Sequence, residues 1–317
     1  MTTESHPRAE PEAHTEFDCF GDRVAVYAGD LDWRGESPSD AVERSRQSLL
    51  AMHATLSRFE PESELSRLNA DPRETVPAGT LLLTVAAAVA EAAELSHGLV
   101  DATRLDDLER AGYAFTRRGR EPIPLRAALR AAPLERRPAQ PSAREGWRQI
   151  SIDVREGTIS RPPGLRIDPG GLAKGLAADL VVAGLEAHDT YATDAAGDLR
   201  FGGRLGALRE ISVADPFTAE AIGRFRLRSG GVATSGIGRR SWWTPAGSPA
   251  HHLIDPSSGA PAFTGIVQVT ALAPTAFEAE VRAKAAVLAG SAGAGDFLPH
   301  GGLIVFDDGS HQRLEPS

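Results

Sequence analysis

Asp168-Pro-Gly-Gly-Leu-Ala-Lys174 sets a carboxylate, two adjacent glycines and an ammonium within one short stretch. Glycines let the backbone approach a ligand closely, and a helix beginning there directs free N–H groups and a positive dipole end at it. That chemistry suits a phosphate, although strand-to-helix turns also use glycine pairs for steric reasons alone. Lys174 is one of two lysines, the other being Lys284, and the rest of the 34 basic residues are arginines. A compact ammonium and a planar guanidinium are not interchangeable at a tight site, so two retained lysines mark candidate positions. Thr234 and Ser235, in Val232-Ala-Thr-Ser-Gly-Ile-Gly238, offer hydroxyls beside glycines, which again suits phosphate or ribose. In Ala250-His-His-Leu-Ile-Asp-Pro256, a histidine just before an Asp-Pro turn is a candidate general base near neutral pH. Glu280 and Lys284 stand at i and i+4 of a helical pattern, so they share a face, as an exposed ion pair or as part of a site. Thr193-Asp-Ala-Ala-Gly-Asp-Leu-Arg-Phe-Gly-Gly203 reads at least as readily as a bulged strand and turn as it does a ligand contact.

The elements around these residues mix strands and helices without regular alternation, which predicts an α+β fold. Asp22 to Asp30 alternates as a strand, and helices are expected at Asp40 to about Ser57 and at about Gly79 to His97, with Gly98 in the C′ position. Glu60 to Asn69 reads as a polar turn. A hairpin is expected at Ile150–Val154 and Thr158–Ser160, then a strand Leu165–Asp168 delivering the glycine turn, then an alanine-rich helix to about Glu186. Arg209–Ala214, Arg224–Arg228 and Gly265–Leu272 read as strands, and Leu303–Leu314 as a hairpin turning at Asp307-Asp308-Gly309. A helix over Phe277–Ala289 carries a capping box at Thr275 and Glu278 and stops before Gly290. Residues 117–148 hold nine arginines, three glutamates and five prolines, a charge of about +6 within a chain of −9. They read as an insertion on the surface or as an electropositive rim for an anionic ligand.

A 41% hydrophobic share supports a real core, and the net charge of −9 argues against a nucleic-acid binder, whose domain would normally carry a basic face. A lone cysteine, Cys19, forms no internal disulfide and suits a reducing compartment. Residues 1–16 read as a disordered polar tail without the pattern of a signal peptide. The most apolar stretch, Leu81–Leu95, is interrupted by Glu91 and Glu94, so no membrane insertion is expected and a cytoplasmic location is.

Seven segments then recur in a recognisable order: Ser63-Glu-Leu-Ser-Arg-Leu-Asn69, Gly98-Leu-Val-Asp101, Asp168–Gly175, Ala196-Gly-Asp198, Thr234-Ser-Gly236, His252-Leu-Ile-Asp-Pro-Ser-Ser-Gly-Ala-Pro261, and Ala279-Glu280 through Lys284. Together they resemble the ApbE family of flavin transferases, which move FMN from FAD onto a threonine or serine of an acceptor protein. The resemblance implies a flavin transferase domain over residues 17–305, residues 117–148 as its insertion, and 306–317 as a C-terminal hairpin end. It implies mixed or antiparallel sheets flanked by helices. It also implies FAD contacts at Phe59, Val100, Asp101, Asp168, Lys174, Thr234, Ser235 and Ile254, with His252 as the base. Magnesium would sit at Gly171, Glu280 and Lys284. The chain departs from the family there, because Glu280 replaces an aspartate and Lys284 a threonine; either backbone carbonyls at Lys284 and the Gly171 turn still hold the ion, or a Lys284 ammonium pointing into the site takes its place. Phe59 and Val100 also replace aromatic residues of the pattern. A module that binds FAD without transfer, or one that hydrolyses FAD to FMN and AMP, are the alternative readings.

Overall fold

The structure is a computed structural model and describes residues 12–29, 35–117, 119–204 and 206–316. Its centre is an eight-stranded antiparallel sheet whose strands lie side by side in chain order. They are Ala13–Cys19, Asp22–Gly29, Thr190–Ala195, Asp198–Gly202, Gly230–Gly236, Ile266–Ala273, Gly302–Phe306 and His311–Leu314. Smaller antiparallel sheets join Thr75–Pro77, Thr158–Ser160 and Ser151–Asp153, then Arg209–Ala214 with Ala221–Leu227, and Ser241–Trp243 with Pro249–His251. The α+β expectation therefore holds, with antiparallel pairing throughout.

Two helices on this sheet position the site. Ala276–Gly293 packs on Gly230–Gly236 and Ile266–Ala273, and Ala173–Ala183 packs on Thr190–Ala195, on Asp198–Gly202 and on the first helix. The seams are lined by alanine: Ala178, Ala195 and Ala276 form one buried cluster, and Ala233, Ala273 and Ala279 another. Without side-chain bulk the backbones come close, and a Cβ on Gly175 would collide with the Ala276 carbonyl and lie 2.8 Å from the Phe277 nitrogen. Thr275 caps the long helix by accepting the Glu278 N–H at 3.1 Å, and the Asp179 carboxylate accepts the Ala276 and Phe277 N–H groups at 3.0 and 2.8 Å. Of the predicted capping box only the threonine half forms, because Glu278 accepts instead from Arg282 at 2.6 Å. Gly290, with φ of 69°, breaks the helical geometry where the sequence placed the end.

Several expectations are corrected. Within the supposed tail, Ala13–Glu16 belong to the edge strand that pairs with Asp22–Gly29, while residues 1–11 and Asp30 lie outside the described residues. The supposed polar turn contains a helix, Glu64–Ala70, capped by Ser63 and anchored by buried Leu65 and Leu68. Leu165–Asp168 joins no sheet. The Ile167 N–H donates to Asn69 and its carbonyl accepts from the same amide, both at 2.8 Å, so a side chain takes the place of a neighbouring strand. After Leu95 the C′ residue is His97, at φ 52°, and Gly98 follows it, closing a Schellman pair with bonds to Glu94 and Ala93. Segment 117–148, described except for residue 118, carries a helix at Leu125–Ala131. It is tied down by the Ala139 N–H to the Leu288 carbonyl at 2.8 Å and the Gln140 N–H to Asp255 at 3.0 Å. Among the described residues no helix is long and apolar enough to cross a membrane.

Candidate active site

The Ala173 helix and the Ala276 helix cross where Gly175 has no side chain, and this crossing brings Lys174, Glu280 and Lys284 together. The Gly175 N–H donates to Glu280 Oε2 at 2.8 Å, Lys284 Nζ donates to Glu280 Oε1 at 2.9 Å, and Lys174 Nζ stands 3.3 Å from that same oxygen. Lys174 also donates to Asp198, which the tight turn after Ala195 presents from the sheet. That turn runs through Ala196 and Gly197, both at positive φ, 60° and 95°, the backbone a two-residue hairpin of the primed type requires. Glu280 is fully buried. Burial alone would raise its pKa, but the two ammonium groups pull it down to about 2. Burial pushes Lys174 down to about 8, with Lys284 and Arg240 adding to the fall and Glu280 resisting it. Four charges thus balance: two carboxylates beneath, two ammonium groups above.

Above them opens a cavity of about 780 Å³ lined by both lysines but by neither Asp198 nor Glu280. Phe59, Val100, Asp101, Asp168, Gly171, Lys174, His252, Ile254 and Lys284, all named from the sequence, converge on its wall. Thr234 and Ser235 do not. They sit within strand Gly230–Gly236, where Thr234 bonds Thr270 across the sheet at 2.8 Å and Ser235 is buried opposite Val269. Arg58, Arg104, Arg117, Arg120, Arg239 and Arg240 add positive charge to the wall, so the arginine-rich segment contributes Arg117 and Arg120 as a cationic rim. Such a pocket attracts a polyanion.

Arg58 and Tyr113 escaped the sequence reading because no motif spacing marks them. Arg58 Nε pairs with Asp168 at 3.0 Å, its NH2 donates to the Tyr113 carbonyl at 2.6 Å, and its guanidinium covers the Phe59 ring at 4.1 Å. Phe59 and Tyr113 then stand 5.8 Å apart as an aromatic wall, which supplies a phenol although Phe59 itself lacks one. Asn69, at the end of the Ser63–Asn69 segment, holds Ile167 and through it the adjacent Asp168. Asp168 is tied to the Val100–Ala102 wall by its own N–H to the Ala102 carbonyl at 2.8 Å. Asp101 uses one oxygen on Thr103 at 2.9 and 2.6 Å, and its other oxygen is buried without a partner.

The adjacent histidines separate cleanly. His251 is buried, edge-on to Phe263 at 4.7 Å, accepts the Leu253 N–H through Nδ1 at 3.3 Å, and is pushed by burial down to about 3. His252 lies at the cavity wall, and burial, with Arg240, His251 and Lys284 nearby, holds its pKa well below the usual value. Its Nδ1 has no partner while the Arg240 backbone engages the ring, so a neutral His252 protonated on Nε2 keeps a lone pair on Nδ1.

A magnesium ion needs a near-octahedral shell of oxygens at about 2.0–2.1 Å. Glu280 has both oxygens engaged and two ammonium groups beside it, and no group of three metal-binding side chains exists among the described residues. The residues present do not fit the ion.

Comparison with known proteins agrees with this architecture. A Treponema pallidum FAD:protein FMN transferase is 31% identical over 141 residues, a match covering 40% of this chain and 39% of that protein's length. The ApbE protein of Thermotoga maritima superposes with a TM-score of 0.77 at 25% identity, covering 96% of this chain and 97% of that one. The flavin transferase ApbE of Vibrio cholerae gives 0.73 at 21% identity with 98% of each chain covered, a likeness of fold. The apo flavinyl transferase ApbE of Pseudomonas stutzeri gives 0.75 at 20% identity, over 99% and 97%, likewise a likeness of fold. The family model for ApbE matches residues 23–305, nearly the whole described chain, and this chain belongs to the ApbE family.

Proposed function

We propose that this protein transfers FMN from FAD to a threonine or serine hydroxyl of an acceptor protein and releases AMP. The observation that carries the reading is the cationic cavity with two lysine ammonium groups on its wall beside a neutral, unpartnered histidine nitrogen. FAD is the substrate. Its pyrophosphate lies against Lys174 and Lys284, and its flavin meets the wall that Phe59, Val100 and Ile254 share. The acceptor oxygen forms a bond to the FMN phosphorus while its proton passes to Nδ1 of His252. The bond from that phosphorus to the bridging oxygen breaks, and AMP leaves with the electron pair. Phosphoryl transfer of this kind is governed by positioning and by charge opposite the transferring group, which the lysines and Arg240 supply. A cytoplasmic setting belongs to the proposal and is supported by the single, free and buried Cys19.

The test is incubation of the chain with FAD and a flavin-acceptor domain, followed by denaturing electrophoresis. A fluorescent acceptor band is expected. Tight FAD binding with no band and no AMP would instead mark a binding module, and free FMN with AMP would mark a hydrolase.

A further inference from the structure

We propose that Lys174 and Lys284 stand in for the divalent cation, so that this protein binds its dinucleotide pyrophosphate without metal. The inference rests on the flavin reading above and names how this chain neutralises the anhydride. Both lysines line the cavity, whereas the residues whose carboxylates hold them, Asp198 and Glu280, do not. A metal site has the opposite order, with carboxylate oxygens turned towards the ligand space. Here the carboxylates are the floor and cations are the surface.

The arrangement is also preorganised. Glu280 Oε1 collects both ammonium groups within 3.3 Å, and Oε2 is fixed by the Gly175 N–H at 2.8 Å, so the carboxylate has no oxygen left over for an ion. The stem of Lys284 passes over Gly171, where a Cβ would lie 3.4 Å from its Cε, so the side chain packs against the glycine turn. Two positive charges beside one carboxylate oxygen reproduce the charge of a divalent ion while satisfying it internally. Adding magnesium would place a third cation against two ammonium groups, with desolvation of the ion besides. Lysine at these two positions, in a chain that otherwise uses arginine, follows from the same geometry. A point charge donates to a phosphate oxygen from a narrow site that a planar fork would not enter.

The experiment is titration of the intact chain with FAD, read by flavin fluorescence, once in EDTA and once in excess magnesium. Dissociation constants agreeing within about twofold are expected. Lys284→Met should weaken binding about tenfold or more, the loss expected from one charge-assisted contact, and magnesium should not restore it. Inorganic pyrophosphate in EDTA should displace FAD from the native chain, a measurement that needs no variant to fold. FAD binding that appears only with magnesium would overturn the inference and leave the flavin reading standing. No FAD binding under either condition would overturn both.

Discussion

His251 points its ring into the core against Phe263, and its neighbour His252 faces the cavity with Nδ1 unpaired. His252→Ala is expected to slow flavin transfer about 10²-fold or more, the usual loss of a general base, with FAD affinity within about threefold of the native value. His251→Ala should instead lower the unfolding midpoint, while the folded fraction keeps its transfer rate. Equal rate losses in the two variants would contradict the assignment. The pH profile follows from the same residues. His252 is held well below the ordinary histidine value, so it stays neutral and kcat/KM for FAD should not fall on acidification through about pH 6.5. Lys174, lowered by burial to about 8 against the pull of Glu280, with Lys284 and Arg240 adding to the fall, loses its proton as pH rises through that value, so kcat/KM should decline on the alkaline side. An acid limb centred near the ordinary histidine value would sink this reading. At this scale the histidine that lines the cavity was legible, because only His252 directly precedes Leu253-Ile254-Asp255-Pro256. Thr234 was not, because a hydroxyl beside glycines looks alike whether it meets a ligand or, as here, Thr270 on the next strand.

At the scale of elements, the crossing of Ala173–Ala183 over Ala276–Gly293 sets the lysine geometry, and Gly175 permits the approach. Gly175→Ala should cost about 1–3 kcal/mol in urea unfolding as the helices are forced apart. FAD affinity should fall with it, because Lys174 moves relative to Glu280. Gly295→Ala is the control: a Cβ there meets nothing within 4 Å, so neither quantity should move appreciably. If Gly175→Ala matched that control, the close crossing would not be what fixes the site. The helices found at Pro38–Leu56 and Thr80–Leu95 were legible in the sequence, although the second closes with His97 rather than Gly98 in the C′ position. Glu64–Ala70 was not, since seven residues with two buried leucines give too short a period. Leu165–Asp168 misled for a different reason. Its extended backbone is satisfied by the Asn69 amide, a long-range partner that strand propensity cannot anticipate.

Over the whole molecule, a net charge of −9 coexists with a cavity lined by six arginines and two lysines. Segments as distant as Phe59, Asp168, His252 and Lys284 meet on its wall. The convergence of the ordered motifs was readable in advance; the side chains that brace them, Arg58 and Tyr113, were not, because their role exists only once Asp168 and Phe59 are neighbours. The central claim is transfer of FMN to an acceptor hydroxyl, and the most direct measurement is the ratio of AMP released to flavin covalently bound. FAD and an acceptor protein would be incubated with the native chain in EDTA, AMP counted by chromatography and flavin by intact mass. Transfer predicts one AMP for each FMN added to the acceptor. AMP with free FMN and an unmodified acceptor, or no AMP with or without added magnesium, would contradict it.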